Sequence, residues 1–243
     1  MGAPEKKWTA ATSGWLHANV GSVNITVVPG SDTVTSTRER YHHGNLRAAL
    51  VAAGVELARE GGPDAIIVRE ASRRVGVSHN AAYRHFPNRD AFLTAVCDRC
   101  MNRLAELMET FVAEVDSADC SPEAAFARLR ATGRAYVRFA VTEPGLFRTA
   151  FSVPMSMLYP SSRAQDEPPA VRPGPFTLLG TQLDGLVAAG ALTPLRRAGA
   201  DFAAWSAVHG LSMLLIEGPL RELPDDVSAQ ITEQLLNTVQ RGI

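Results

Sequence analysis

Residues 68 to 86 read Val68-Arg-Glu-Ala-Ser-Arg-Arg-Val-Gly-Val-Ser-His-Asn-Ala-Ala-Tyr-Arg-His-Phe86. Small or apolar residues stand where two short helices would cross: Ala71, Val75, Val77 and Ala82. Gly76 can adopt the positive φ angle that a three-residue turn between two helices requires. Ser78 follows, and serine is among the best residues for capping the N-terminus of a helix. The stretch therefore predicts a helix-turn-helix whose second helix is opened by Ser78.

The outward positions of that second helix suit contact with a nucleic acid. They are short or can form hydrogen bonds, as base edges and phosphates require: His79, Asn80, Ala81, Tyr83 and Arg84. The charge distribution agrees, because residues 38–95 hold nine arginines and no lysine against six acids, whereas residues 96–243 hold 13 arginines against 17 acids. Only the middle of the chain is therefore suited to phosphates.

The rest of the chain from residue 44 onward predicts helices, because apolar side chains recur three and four residues apart and breaks fall at Gly and Pro. Helices are predicted from Asn45 to Gly61, from Asn88 or Asp90 to about Asp116, from Pro122 to about Thr142, from Pro144 to Phe151, at about 176–190 and 199–217, and from Pro224 to Gln240. Residues 152–175 carry six prolines and several serines, which favour a loop.

These elements predict an all-α protein with an N-terminal three-helix helix-turn-helix domain and a C-terminal helical domain. We expect residues 1–37 to be a disordered extension, because their one strand-like run, residues 23–28, has no partner strand. The helix-turn-helix domain would then span residues 38–92 and the helical domain residues 93–243.

The composition narrows the class of protein. With 243 residues and 46% apolar side chains, the chain can bury an ordinary core without a disulfide framework or a metal. No apolar run approaches the roughly 20 residues of a membrane-spanning helix, and the N-terminus lacks a secretory signal. We therefore expect a cytoplasmic protein with no membrane association, no metal and no cofactor. Its three cysteines should be reduced thiols.

Residues 76–92 strongly resemble the DNA-binding domain of the TetR family, and the resemblance covers about residues 40–92. Tyr83 and Phe86 match the family's Tyr-x-x-Phe, and Arg89 matches the basic residue that starts its fourth helix. The resemblance implies a homodimer that binds double-stranded operator DNA and is released by a small molecule. The residues it implies for DNA binding are Arg40, His42, Arg69, Ser78, His79, Asn80, Ala81, Tyr83, Arg84, His85 and Arg89.

Within that set, the resemblance implies that Tyr83 and Arg89 hold phosphates while His79, Asn80, Ala81 and Arg84 face base edges. Arg69 and the arm at residues 38–43 would add backbone or minor-groove contacts. This sequence departs from the family at Ser72, where alanine is commoner, and at Ala82, which is smaller than the usual leucine. Both departures could loosen the packing of the motif.

The C-terminal domain resembles one subtype of the family. Trp205 to Gly210 resembles its Trp-x-x-x-His-Gly motif, and residues 139–151 resemble the segment before its loop. The resemblance implies that the last two helices pair with their mates in a four-helix dimer interface. A cavity for a small, largely apolar effector could be lined by Phe139, Phe147, Phe151, Met155, Phe176, Leu179, Leu183, Trp205, His209 and Met213.

Several alternatives stay open. The aromatic residues could be ordinary core, and His209 could be a hydrogen-bonded core histidine instead of a ligand contact. Cys97 and Cys100 are two ordinary helix residues or, as a minor hypothesis, an oxidation sensor. A helical ligand-binding or scaffolding protein without DNA affinity is a rival reading. An enzyme is another, although no catalytic motif stands out.

Overall fold

The computed structural model describes residues 46–115, 118–153 and 173–243. Ten α-helices are described in these ranges, and no strand is found there: α1 (Leu46–Gly61), α2 (Val68–Val75), α3 (His79–Tyr83), α4 (Arg89–Ala113), α5 (Pro122–Thr142), α6 (Pro144–Ala150), α7 (Pro175–Ala188), α8 (Pro194–Arg197), α9 (Ala200–Ile216) and α10 (Asp225–Gly242). The all-α prediction is confirmed. The extension at residues 1–37, the Asn45 cap and most of the 152–175 loop lie outside the described residues.

Side-chain caps start several of these helices. The side chains of Ser78, Asn88 and Ser121 each accept a hydrogen bond from the backbone N–H three residues later, which satisfies a donor that the first helical turn leaves free. Asn88 thus starts α4. The single-turn helix α8 was not predicted, and a 3-10 turn at Gly62–Ala65 follows α1 where only a stop was expected.

The first core lies where α1, α2 and α3 pack against the start of α4. Its largest buried side chains include Leu50, Phe86 and Phe92. A Cβ atom on Gly54 would lie 2.5 Å from Val96 Cγ2 and 2.8 Å from Phe92 Cζ, so α1 and α4 approach each other closely at this glycine. α4 runs on through residue 92, the predicted domain boundary, and packs along α5.

In the second half of the chain, α5 lies among α4, α7, α9 and α10. Ala135 and Tyr136 of α5 are buried in the main core, while Leu183 and Leu186 of α7 form a second apolar cluster with Leu129. In the described ranges, no helix is both long enough and apolar enough to cross a membrane.

The short helix α6 lies against the C-terminal end of α1. A Cβ atom on Gly145 would stand 2.2 Å from the carbonyl oxygen of Ala58 and 2.7 Å from that of Arg59, so only glycine fits here. Beside this contact, Arg59 Nε donates to Glu143 Oε2 over 2.8 Å. The helix that adjoins the helix-turn-helix is therefore held directly by an element of the second half.

Candidate nucleic-acid interface and internal cavity

The helix α3 presents a polar surface on one side and anchors itself on the other. Ser78 caps it by accepting from the N–H of Ala81 over 3.2 Å, and Ala82 is fully buried. On the outer side Asn80, Arg84 and His85 are exposed, and Tyr83 is 41% exposed. A capped N-terminus beside these side chains offers donors to an anion or to the edge of a base.

Two predicted contacts of α3 are only partly outward. His79 and Ala81 are half-buried. The ring of His79 stands edge-on to Tyr83, with 4.4 Å between ring centroids, and its Nδ1 is buried without a partner among the described residues. His79 therefore supports the tyrosine ring, and its Nδ1 is not exposed to an outside partner in this arrangement.

Of the three arginines of α2, one is exposed without a described ion pair and two bind carboxylates. Arg69 is exposed. Arg74 binds Glu60 of α1 over 2.7 Å and Glu70 over 3.2 Å, and Arg73 binds Glu70 over 2.7 Å. Hydrogen bonds from these two arginines lower the pKa of Glu70 to about 2. Arg74 thus ties α2 to α1, a pairing that the sequence did not suggest.

Ser72, one of the two departures from the expected pattern, is buried at the helix crossing. Its Oγ donates to the carbonyl oxygen of Val68 over 2.7 Å, so the hydroxyl has a partner within its own helix. Arg89, predicted to contact phosphate, is exposed at the start of α4 and donates from Nη2 to the carbonyl oxygen of Pro63 over 3.1 Å. Arg40 and His42 lie outside the described residues.

An internal cavity with a volume of about 40 Å³ lies among the helices of the second half of the chain. Its lining is mainly apolar: Met108, Leu129, Arg130, Thr132, Gly133, Tyr136, Phe151, Pro175, Phe176, Leu179, Ala204, Trp205, Val208, Leu236, Val239 and Gln240. A larger space of about 450 Å³ lies between α1 and α4, but charged side chains such as Arg47, Glu56 and Arg103 form much of its lining. Only the first resembles a binding cavity for an apolar molecule.

The predicted effector-binding residues divide into groups. Phe151, Phe176, Leu179 and Trp205 line the cavity. Phe147 and His209 belong to an adjoining aromatic cluster, with 5.5 Å between their ring centroids. The others lie elsewhere: Phe139 and Leu183 are buried in the cores, Met213 is half-buried, and Met155 is outside the described residues.

Tyr136 links the two residues of the Trp-x-x-x-His-Gly motif. Trp205 Nε1 donates to the hydroxyl of Tyr136 over 3.1 Å, and that hydroxyl is 2.8 Å from His209 Nδ1. Burial raises the pKa of Tyr136 above its ordinary value and lowers that of His209. Both side chains are therefore neutral near pH 7, which suits a buried series of hydrogen bonds from Trp205 through Tyr136 to His209.

The polar lining residues that the sequence did not single out lie on the seam between α5 and α10. Arg130 donates to Asn237 and to Glu233, and Arg134 Nη2 donates to Glu233 over 2.8 Å. Hydrogen bonds from Arg134 and then Arg130 lower the pKa of Glu233 to about 2, so this carboxylate is ionised near neutrality. These contacts join residues about 100 positions apart, and no local pattern marks them.

The thiols of Cys97 and Cys100 are buried in α4. Burial raises the pKa of Cys97 and raises that of Cys100 to about 12. Cys97 Sγ also donates to the carbonyl oxygen of Thr149 over 3.0 Å. Both thiols are protonated near pH 7, which disfavours the oxidation-sensor hypothesis. In the described parts of the chain, no three His, Cys, Asp or Glu side chains gather as metal ligands would.

Two protein families match this sequence. The family described as "Bacterial regulatory proteins, tetR family" matches residues 50–96, and "Tetracyclin repressor-like, C-terminal domain" matches residues 129–239. Among curated proteins, an HTH-type transcriptional repressor of Mycobacterium tuberculosis and an HTH-type transcriptional regulator of Mycobacterium bovis are each 33% identical over 65 residues. That match covers 27% of this chain and 35% of each relative, so the chain spans about a third of their length.

Solved structures are similar over most of the chain. A protein of unknown function from Rhodococcus sp. RHA1 has a TM-score of 0.60 at 26% identity, over 84% of this chain and 98% of its own. A TetR variant from Acinetobacter baumannii in complex with minocycline has a TM-score of 0.54 at 20% identity, over 80% and 94%. FadR from Bacillus subtilis in complex with stearoyl-CoA has a TM-score of 0.55 at 16% identity, over 81% and 98%. The last two similarities show the fold alone.

Proposed function

Because this chain belongs to the TetR family of bacterial regulators, we propose that it is a ligand-responsive transcription regulator, by family default a repressor. As a homodimer it binds a palindromic operator, and a small, largely apolar effector releases it. Proteins of this family are transcription regulators, so the chain is not an enzyme. Its place of action would be the cytoplasm.

The exposed face of α3 is the observation that carries the DNA-binding part of the proposal. Asn80, Tyr83, Arg84 and His85 face solvent on a helix whose opposite side, at Ala82, is buried. A helix anchored in this way can enter a major groove without disturbing its own core. Tyr83 would hold a phosphate while Asn80 and Arg84 reach base edges.

Selection of bound fragments from random DNA tests this part directly. We expect an imperfect palindrome whose half-sites lie about one helical turn, roughly 34 Å, apart, with an affinity that falls steeply as salt is raised. Replacing Tyr83 and Arg84 by Ala should abolish operator binding. Arg138→Ala, at an exposed position of α5, is the matched control and should leave it unchanged. If selection returns no preferred sequence, the proposal is wrong and the scaffolding alternative gains support.

The outer face of α9 supports the homodimer. Phe202 and Leu214 are 47% and 43% exposed, and Ala203, Ser206 and Gly210 between them are also exposed. No exposed residue of this α9 face carries a charge, which suits burial against a second copy of the helix. A Cβ atom on Gly210 would meet nothing within 4 Å, so Gly210→Glu leaves the protomer's own packing intact. We expect this variant to be monomeric in sedimentation equilibrium, and a dimer of full affinity would contradict the assignment.

The release step is proposed to pass through α6. The cavity of about 40 Å³ holds only a few water molecules, whereas small-molecule sites are typically several hundred Å³. An effector must therefore push the walls of the cavity apart, and Phe151, directly after α6, is part of one wall. Since α6 rests on α1, the movement would change the spacing of the two α3 helices in the dimer. We also propose that the C-terminal domain belongs to the Trp-x-x-x-His-Gly subtype of the family.

A further inference from the structure

The walls of the cavity differ in chemistry from one side to the other. Side chains from α4, α7 and α9, and Phe151 just after α6, are apolar or aromatic there, including Met108, Phe176 and Trp205. The seam of α5 and α10 is different, because it contributes Arg130 and Gln240. Of the described residues that line the cavity, Arg130 alone carries a charge. The cavity thus has one cationic wall.

The charge of that wall is only partly neutralised. Arg130 and Arg134 both bind Glu233, so two guanidinium groups share one carboxylate and one positive charge is left over. Arg130 has five N–H donors. Hydrogen bonds in the described ranges use one of them for Asn237 and one for Glu233. Gln240 lies on the same face of α10, seven residues after Glu233, and contributes a second polar side chain to the lining of the cavity.

The other polar side chains of the cavity, those of α5 and α9, already have hydrogen-bond partners. The Thr132 hydroxyl donates to the carbonyl oxygen of Arg128 over 3.0 Å. The Tyr136 hydroxyl already accepts a hydrogen bond from Trp205 Nε1 and is bonded to His209 Nδ1. An apolar ligand beside it therefore leaves no donor unpaired. The unmet hydrogen-bonding capacity of the cavity is concentrated at Arg130 and Gln240.

We propose that the effector is an apolar acid: an aliphatic or aromatic body lies against the walls from α7 and α9, and its carboxylate binds Arg130 with support from Gln240. This inference rests on the proposed function, since it names the chemical class that the effector cavity accepts. A carboxylate matches the planar fork of a guanidinium, and the surplus positive charge compensates its own. A neutral amide of the same shape gains the hydrogen bonds without the charge.

The test is calorimetric titration of the full chain with matched pairs of probes. The acids are the straight-chain carboxylates from hexanoate to dodecanoate and 2-naphthoate, and the partner of each is its primary amide. We expect at least one acid to bind about tenfold or more tightly than its amide, because hydrogen bonds between charged partners are the stronger ones. If no acid binds, or if every amide binds as tightly as its acid, the proposal is wrong.

Three variants separate charge from structural damage. Arg130→Gln should weaken binding of the acid about tenfold and change binding of the amide little. Glu233→Gln removes the carboxylate that competes for both arginines, so it should strengthen binding of the acid. Arg138→Gln, on an exposed turn of α5, is the control and should change neither. If the contacts between α5 and α10 serve only the structure, both Arg130→Gln and Glu233→Gln should bind the acid and the amide more weakly. That result would overturn the proposal.

Failure of this inference is distinguishable from failure of the proposed function. Operator binding by the wild type and by Arg130→Gln is measured in the same samples by gel shift. Specific operator binding without any preference for acids contradicts the effector class alone. Preferential acid binding by a chain that recognises no DNA sequence contradicts the regulatory function and leaves the acid site standing.

Discussion

Gly145→Ala tests the contact between the two halves of the chain with the smallest possible change. A Cβ atom at this position would stand 2.2 Å from the carbonyl oxygen of Ala58, 2.7 Å from that of Arg59 and 3.1 Å from the carbonyl carbon of Arg59. All three are backbone atoms, so no side chain can turn away. Relief requires α6 to retreat from α1 by about 1 Å, because normal contact distances begin near 3.4 Å.

The expected loss of stability follows from two opposing effects. Alanine is a better helix former than glycine by about 0.5–1 kcal/mol. Forcing an extra carbon into a packed contact costs about 1–3 kcal/mol, and backbone on the other side places this site at the upper end of that range. We therefore expect Gly145→Ala to lower the free energy of unfolding by about 2 kcal/mol.

Gly185→Ala is the matched control, because its Cβ atom in α7 would meet nothing within 4 Å. It should raise the free energy of unfolding by about 0.5–1 kcal/mol through helix propensity alone. Both are measured by urea unfolding followed by circular dichroism, with the slope checked so that the midpoints are comparable. A Gly145→Ala variant as stable as the wild type would refute the close contact of α6 with α1.

Three further predictions concern other parts of the molecule. Ser78→Ala should cost about 1 kcal/mol and weaken operator binding, whereas Ser78→Asp should retain the cap; equal unfolding midpoints for both would contradict the capping role. The pKa of Glu233 is lowered to about 2 in the folded chain, so its stabilising contribution is complete above pH 5 and is lost as pH falls towards 2. The stability difference between wild type and Glu233→Gln should accordingly shrink over that interval in acid titrations, and a constant difference would argue against the ion pair. With a thiol reagent at pH 7.5, exposed Cys120 should react at once while buried Cys97 and Cys100 react only on unfolding; fast labelling of all three would show that α4 opens readily.

Much of the fold is local and could be predicted from the sequence. The predicted helix from Pro122 to about Thr142 has the bounds of α5, because a capping serine, a first-turn proline and an apolar stripe all agree there. Ser78 acts as the cap that its position suggested. The missed helix α8 is one turn long, so it has no periodicity to detect.

The site is harder to predict, because its decisive contacts join distant residues. Arg130 and Glu233 are 103 positions apart and look like ordinary solvated charges in sequence. Trp205 and His209 both contact the hydroxyl of Tyr136, as the core-histidine alternative allows, but no local motif connects Tyr136 to them. The spacing of apolar residues predicts which face of a helix is buried, but it does not predict which other helix packs against that face.

The position of α6, between the cavity and α1, limits which substitutions can change the cavity without affecting the helix-turn-helix. Phe151, which follows the last residue of α6, forms part of the cavity wall, while Gly145 near the start of α6 touches the backbone of α1. If the proposed release step is correct, we expect substitutions in α6 that change the cavity to change operator affinity as well. Gln240 also lines the cavity, but it lies on α10, which packs on α5 and α9. We therefore expect related proteins with different effectors to differ first at the α10 positions that line the cavity.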